Sequence, residues 1–201
     1  MERIPPGEKN IGYFKIESGN VRVSDPCYER DAWCSGVLTD VKKGTWNAYV
    51  LVSDEGEWGS RVKQLLVTHE LYRDNENWKI ANFEVGVDSG QAGIFDNKYY
   101  KDDSVVARFT DLDRKNKTKI CEDEPWFSWC CDKTLGIPGG GVVPFGAVSS
   151  SGFGDGGYVC FFNKNKDGEI DAIKIVYIPD EDEFEETEDE EDESIREDSG
   201  K

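Results

Sequence analysis

Asp25, Asp88, Ser89, Asp96, Ser151 and Asp155 are the side chains whose types and settings are best suited to chemistry. Asp25 precedes Pro26, and Asp88 opens the triplet Asp88-Ser89-Gly90. Asp96 closes the apolar run after that triplet, and Ser151 and Asp155 belong to the glycine-rich stretch "SSSGFGDGGY", residues 149–158. Each carboxylate falls where an extended run is expected to end, at or near Gly or Pro. Gathered at one mouth of a β-structure, these groups form a candidate ligand-binding site that takes a cation or the donor groups of a ligand. Spread apart, each caps its own turn by accepting backbone N–H groups. The residues alone are compatible with both arrangements.

More specific chemistries find less support. Asp-Ser-Gly on an apolar strand is the pattern of aspartic proteases, but that reaction needs two carboxylates sharing a proton. The second such triplet, Asp198-Ser199-Gly200, stands in an acidic run without apolar flanks, and Gln91 follows the first where a small residue is usual. None of the six cysteines forms C-x-x-C, and His69, the sole histidine, sits in the apolar run "QLLVTHELY". A thiolate–imidazole nucleophile or a zinc site is therefore disfavoured, and the thiols read as small apolar packing groups. The stretch from Asn163 to Lys174 has the outline of a calcium loop. It places Lys where the bidentate Glu belongs, and Asp167-Gly168 reads better as a hairpin turn. Residues 149–158 would suit an anion-binding nest of backbone amides, yet they contain no Lys or Arg. No confident metal site and no cofactor emerge. The preferred reading is a ligand- or protein-binding molecule of the immunity or anti-defence kind. The alternative is a carboxylate-dependent, metal-assisted hydrolase using Asp25, Asp88, Asp96 and Asp155.

Strands must position these groups. Six Trp, eight Tyr and ten Phe against one Met, with 21 Gly, indicate ring-packed sheets and many turns. Residues 13–26 predict a hairpin around Ser18-Gly19-Asn20, and 45–72 a second one with a bulge near Gly59. Residues 78–96 resume strand sequence, and two further strands flank Lys166-Asp167-Gly168. Two short helices are expected. One is capped at Asp103 or Ser104, and the other starts at Pro125 and turns Trp126, Trp129 and Cys130 to one face. The fold class is mainly β, a β-rich α+β domain. It is expected to be an antiparallel barrel or sandwich of roughly eight to ten strands with one or two short helices.

Charge divides the chain. Residues 180–201 hold 14 acidic and 2 basic residues, whereas residues 1–179 hold 28 and 22. The expected organisation is one globular domain over 1–179 and a disordered acidic tail over 180–201. The tail either solubilises the domain or docks a basic protein partner. Direct binding to nucleic acid is disfavoured, because phosphates require a basic surface. The N-terminal "MERIPPGEKN" lacks the apolar core of a signal peptide, and no run is long enough to span a membrane. A cytoplasmic location with reduced thiols is expected.

Four segments taken in order, "SGNVRVSDPCY", "VGVDSGQAGIFD", "WFSWCCDKT" and "GAVSSSGFGDGGYVCFFNKNKDGEIDAIKIVYI", carry a resemblance. They resemble an uncharacterised family of bacterial, phage and some eukaryotic proteins, a domain of unknown function of about this length. The resemblance covers most of residues 11–178. It touches Asp25, Pro26, Asp88, Gly90, Asp96, Gly152, Asp155, Gly156 and Tyr158, and it implies a shared fold but no activity.

Overall fold

A computed structural model of the chain describes residues 6–74, 77–105 and 124–180. Alternation of apolar and polar residues builds its strands. In β4 (Gly44–Asp54), Trp46, Ala48, Val50 and Val52 point inward and are fully or almost fully buried. β4 pairs with β1 (Gly7–Ile16) on one side and β5 (Ser60–His69) on the other. The sheet continues through β11 (Ile170–Val176) and β10 (Gly156–Lys164) to β6 (Trp78–Val87), giving the order β1-β4-β5-β11-β10-β6. A second sheet has the order β3-β2-β7-β9-β8. Its strands are β3 (Gly36–Leu38), β2 (Val21–Ser24), β7 (Gln91–Asp96), β9 (Gly146–Ser150) and β8 (Gly140–Val143). Every strand pair in both sheets is antiparallel. The chain is thus mainly β, as expected, with eleven strands among the described residues.

The two sheets enclose one core that includes Trp46, Leu65, Val85, Ile94, Ile173 and Ile175. A smaller apolar cluster lies on the opposite face of the five-stranded sheet. There α1 (Pro125–Leu135) turns Trp126, Trp129 and Cys130 onto Phe95, Val143 and Val148. Pro begins this helix, as its sequence predicts, because the first turn has no intrahelical partner for the missing N–H. Covered on both faces, β7 is buried along its whole length. Its "QAGIFD" accordingly reads as a continuous apolar run rather than an alternating one.

The expected hairpin over 13–26 does not form. β1 and β2 belong to different sheets, and Ser18-Gly19-Asn20 carries the chain across the core between them. Alternation is present on both arms, but alternation does not say which strand is the partner. The hairpins β4–β5 and β10–β11 do form. In the first, the register shift falls at Leu51/Val52, opposite Val62, rather than at Gly59. In the second, Gly168 has φ +82°, and Asn165 accepts the N–H groups of Asp167 and Glu169, so the calcium-like residues build a turn. Asp103 to Val105 are helical, and the rest of that expected helix lies outside the described residues, as do Cys121 and residues 181–201. No helix among the described residues is long and apolar enough to cross a membrane.

Candidate functional site

Asp25 is the centre of the Asp-Ser-Gly corner, and it is completely buried. Its Oδ2 accepts the backbone N–H groups of Asp88 at 2.9 Å and Ser89 at 2.8 Å. Its Oδ1 accepts the Ser89 hydroxyl at 2.6 Å and the Cys27 N–H at 2.8 Å. Four donors therefore surround one carboxylate, the kind of charge-assisted bonding that offsets the cost of burial. The physical reason for the corner is topological. β6 lies in one sheet and β7 in the other, so the three residues between them must turn sharply across the core. Gly90 supplies the left-handed conformation, φ +68°, and Asp25 at the end of β2 supplies acceptors for amides that leave the ladder.

Asp155 meets the same corner from the glycine-rich loop. Its Oδ1 accepts the Gly90 N–H at 3.1 Å, while the Ser151 N–H reaches the Gly90 carbonyl at 3.1 Å. Within the loop, Ser151 Oγ donates to the Gly154 carbonyl at 2.8 Å, and the Tyr158 hydroxyl bridges the carbonyls of Ser151 and Gly154. Asp25, Asp88, Ser89, Ser151 and Asp155 are thereby brought to one junction. Asp96 is not. It ends β7 roughly 20 Å farther along, at about 3.3 Å per residue. There its carboxylate accepts the N–H groups of Glu17 at 2.6 Å, Ser18 at 2.9 Å and Lys98 at 3.0 Å. It pins the crossing from β1 to β2.

Of the gathered carboxylates, Asp88 is exposed, whereas Asp25 is spent on the chain itself. Burial, and after it the neighbouring Asp88 carboxylate, push the Tyr28 phenol well above its ordinary range. Burial, with the Asp25 carboxylate next to it, pushes the Cys27 thiol up to about 12, so it is not a nucleophile at neutral pH. Cys130 and Cys160 are likewise raised by burial. Among the described residues, no group of three or more His, Cys, Asp or Glu side chains is placed to hold a metal ion.

The junction separates two depressions. One, of about 560 Å³, is bordered by Tyr28, Trp33, Cys34, Asp88 and Asp155. The other is an open groove of about 860 Å³ between the 3-10 turn Gly56–Trp58, the end of α1 and the glycine-rich loop. Trp58, Leu135, Ile137 and Phe153 line it, and these are four of the nine large apolar side chains left exposed among the described residues. Trp58 and Phe153 meet edge to face with ring centres 6.3 Å apart. Ser151 and Gly90 line the same groove, joined by Arg61 and Glu57. Sequence reasoning alone missed these four apolar side chains. A tryptophan inside the glycine-bearing turn "SDEGEWG" and a phenylalanine inside "SGFGDGG" were the available signals. Apolar rings in turns that cannot bury them have an unusual reason to be there.

Other ionisable groups lie elsewhere. His69 is buried on β5, edge-on to Trp46, with Nδ1 accepting the Leu71 N–H and Nε2 facing the Lys43 carbonyl at 3.2 Å. This leaves it a structural role in the sheet. Asp171 is buried with Oδ1 lacking a hydrogen-bond partner, and burial raises its carboxyl above the usual range. Lys42 and Glu169 form an ion pair at 2.5 Å that lowers the Glu169 carboxyl.

The chain belongs to the family described as Protein of unknown function (DUF4241), whose model matches residues 14–175. No curated protein and no solved structure matches it.

Proposed function

For this member of that family, we propose a binding function in which the groove beside the Asp-Ser-Gly corner holds an extended segment of another protein. The observation that carries the reading is the concentration of exposed Trp58, Phe153, Leu135 and Ile137 in one concave surface. Contiguous apolar surface rimmed by polar groups is characteristic of interaction sites, and paired aromatic rings are frequent anchors. The walls support it. Gly90 and Gly154, where an added Cβ would meet nothing within 4 Å, leave backbone open, so a bound chain can approach closely. Asp25, Ser89 and Asp155 act as positioning residues, holding the loop and corner that shape one wall. The hydrolase alternative has weaker support, because Asp25 and Asp96 spend their oxygens on backbone N–H groups.

Selection from a random peptide library tests this, with the full chain compared against the double variant Trp58→Ala, Phe153→Ala. Both side chains are exposed, so the melting temperature should stay within a few degrees of the parent. The parent is expected to enrich peptides sharing apolar anchors, and the variant is expected to lose them by at least about tenfold in affinity, as removal of two anchor rings implies. Equal binding of the same peptides by both proteins would place the site elsewhere.

A further inference from the structure

We propose that a second cavity, between the end of β1, the β8–β9 turn and α1, binds a small organic acid: a flat apolar body carrying one carboxylate. This site shares no residue with the groove and stands or falls apart from it. Its walls come from both sheets. β1 and β8 are edge strands of different sheets, and they touch at Gly12, where an added Cβ would stand 2.9 Å from Val142. Tyr13, Val142, Pro144 and Phe145 line the opening, with Trp129 contributed by α1. The volume, about 590 Å³, falls within the range of small-molecule sites.

Three features point to an anionic aromatic ligand. The first is charge. In a chain of net charge −18, this cavity has two ammonium groups, Lys15 and Lys133, to one carboxylate, Glu17. Glu17 accepts the Tyr99 hydroxyl at 2.6 Å, so it is engaged within the chain. The second is a ring held at a backbone cost. Pro144-Phe145 joins β8 to β9, and Phe145 has φ +61°, where glycine is the usual residue. Its ring stacks on Tyr99 with centres 3.9 Å apart and lines the cavity. The third is Trp129. This residue is 4% exposed, and its buried indole Nε1–H has no hydrogen-bond partner among the described residues. Burying an unpaired donor is costly, and an oxygen acceptor on a ligand would remove that cost. The Lys133 ammonium stands 5.9 Å from the centre of the Trp129 ring, and its stem lies against Gly141. Because Nε1 is covered, binding must shift a neighbour, and the flexible Lys133 arm is the one at hand. One carboxylate then accepts from Lys133 and from the indole N–H, while the apolar body rests against Tyr13 and Phe145.

Titration of the isotope-labelled full chain with β-naphthoate, and with its neutral analogue β-naphthamide, tests this by nuclear magnetic resonance. The readout is the assigned Trp129 indole N–H resonance. The acid should move it downfield and saturate, while the amide binds at least about tenfold more weakly, as loss of a charge-assisted pair implies. The double variant Lys15→Ala, Lys133→Ala should reduce the acid to the affinity of the amide. Phe145→Gly suits the positive φ of the turn and removes only the ring, and it should weaken both probes by about fivefold. Equal affinities for acid and amide, no saturation by the acid at millimolar concentration, or acid binding unchanged in these variants would overturn the proposal. So would movement of the Trp58 indole resonance in place of that of Trp129, which would assign the ligand to the groove.

Discussion

Two aspartates of similar appearance in the sequence do opposite work. Asp25 lies under the corner and receives four hydrogen bonds, whereas Asp88 stands on it and faces solvent. Hydrogen bonds to a charged group contribute about 1.5–3 kcal/mol each, and unsatisfied buried donors cost a similar amount. Asp25→Asn removes the charge and presents two N–H donors to other donors, so it should cost roughly 3–4 kcal/mol in urea unfolding. Asp88→Asn should cost less than about 1 kcal/mol. Comparable losses would mean that Asp25 is not the support of the corner. Asp171 offers a pH test. Its carboxyl is raised in the folded state, mainly by burial, so between its unfolded and folded values the folded chain holds more protons. Stability therefore falls as pH rises through that window, which begins near the ordinary value of about 3.9. Asp171→Asn removes this slope. Denaturant midpoints measured from pH 3 to pH 7 should show the parent losing ground to the variant as pH rises. Parallel curves would show that Asp171 adds no such dependence.

At the level of elements, α1 was legible because its signals are local. Pro125 starts it, and Trp126, Trp129 and Cys130 recur on one face and are buried against the five-stranded sheet. Trp126 touches Phe95 and Tyr100, with ring centres 5.0 Å away in each case. Trp126→Ala should cost about 3–5 kcal/mol in chemical unfolding, the usual range for emptying a ring-sized buried site. A loss below about 1 kcal/mol would mean that the helix is not fixed to the sheet through this ring. The crossing from β1 to β2 was illegible for a corresponding reason. What redirects it is the Asp96 carboxylate on the Glu17 and Ser18 amides, groups 79 and 78 positions away in sequence. A turn that looks like a hairpin locally is converted to an inter-sheet passage by a partner that only the fold brings near.

For the molecule as a whole, β class, the terminal hairpin and the β4–β5 hairpin were readable from period-two patterning, glycine and ring content. The division into two sheets was not, because alternation is the same whichever sheet a strand joins. Part of the candidate site was legible in the same sense. Asp25, Asp88, Ser89, Ser151 and Asp155 do meet, since each marks a strand end and those ends share a junction. Asp96 carries the same local signature but closes the opposite end of its strand. The groove rings were hidden because exposure is a property of the assembled surface. Trp58 and Trp46 look alike in sequence, yet one is 69% exposed and the other is buried completely.

One loop forms a partition. Asp155 and Gly156 border the smaller depression, while Ser151 to Gly154 border the larger groove. Lengthening or reshaping that loop changes both openings at once, so neither can be tailored independently. Descendants of this fold that acquire a new occupant on one side must accept a redrawn cavity on the other.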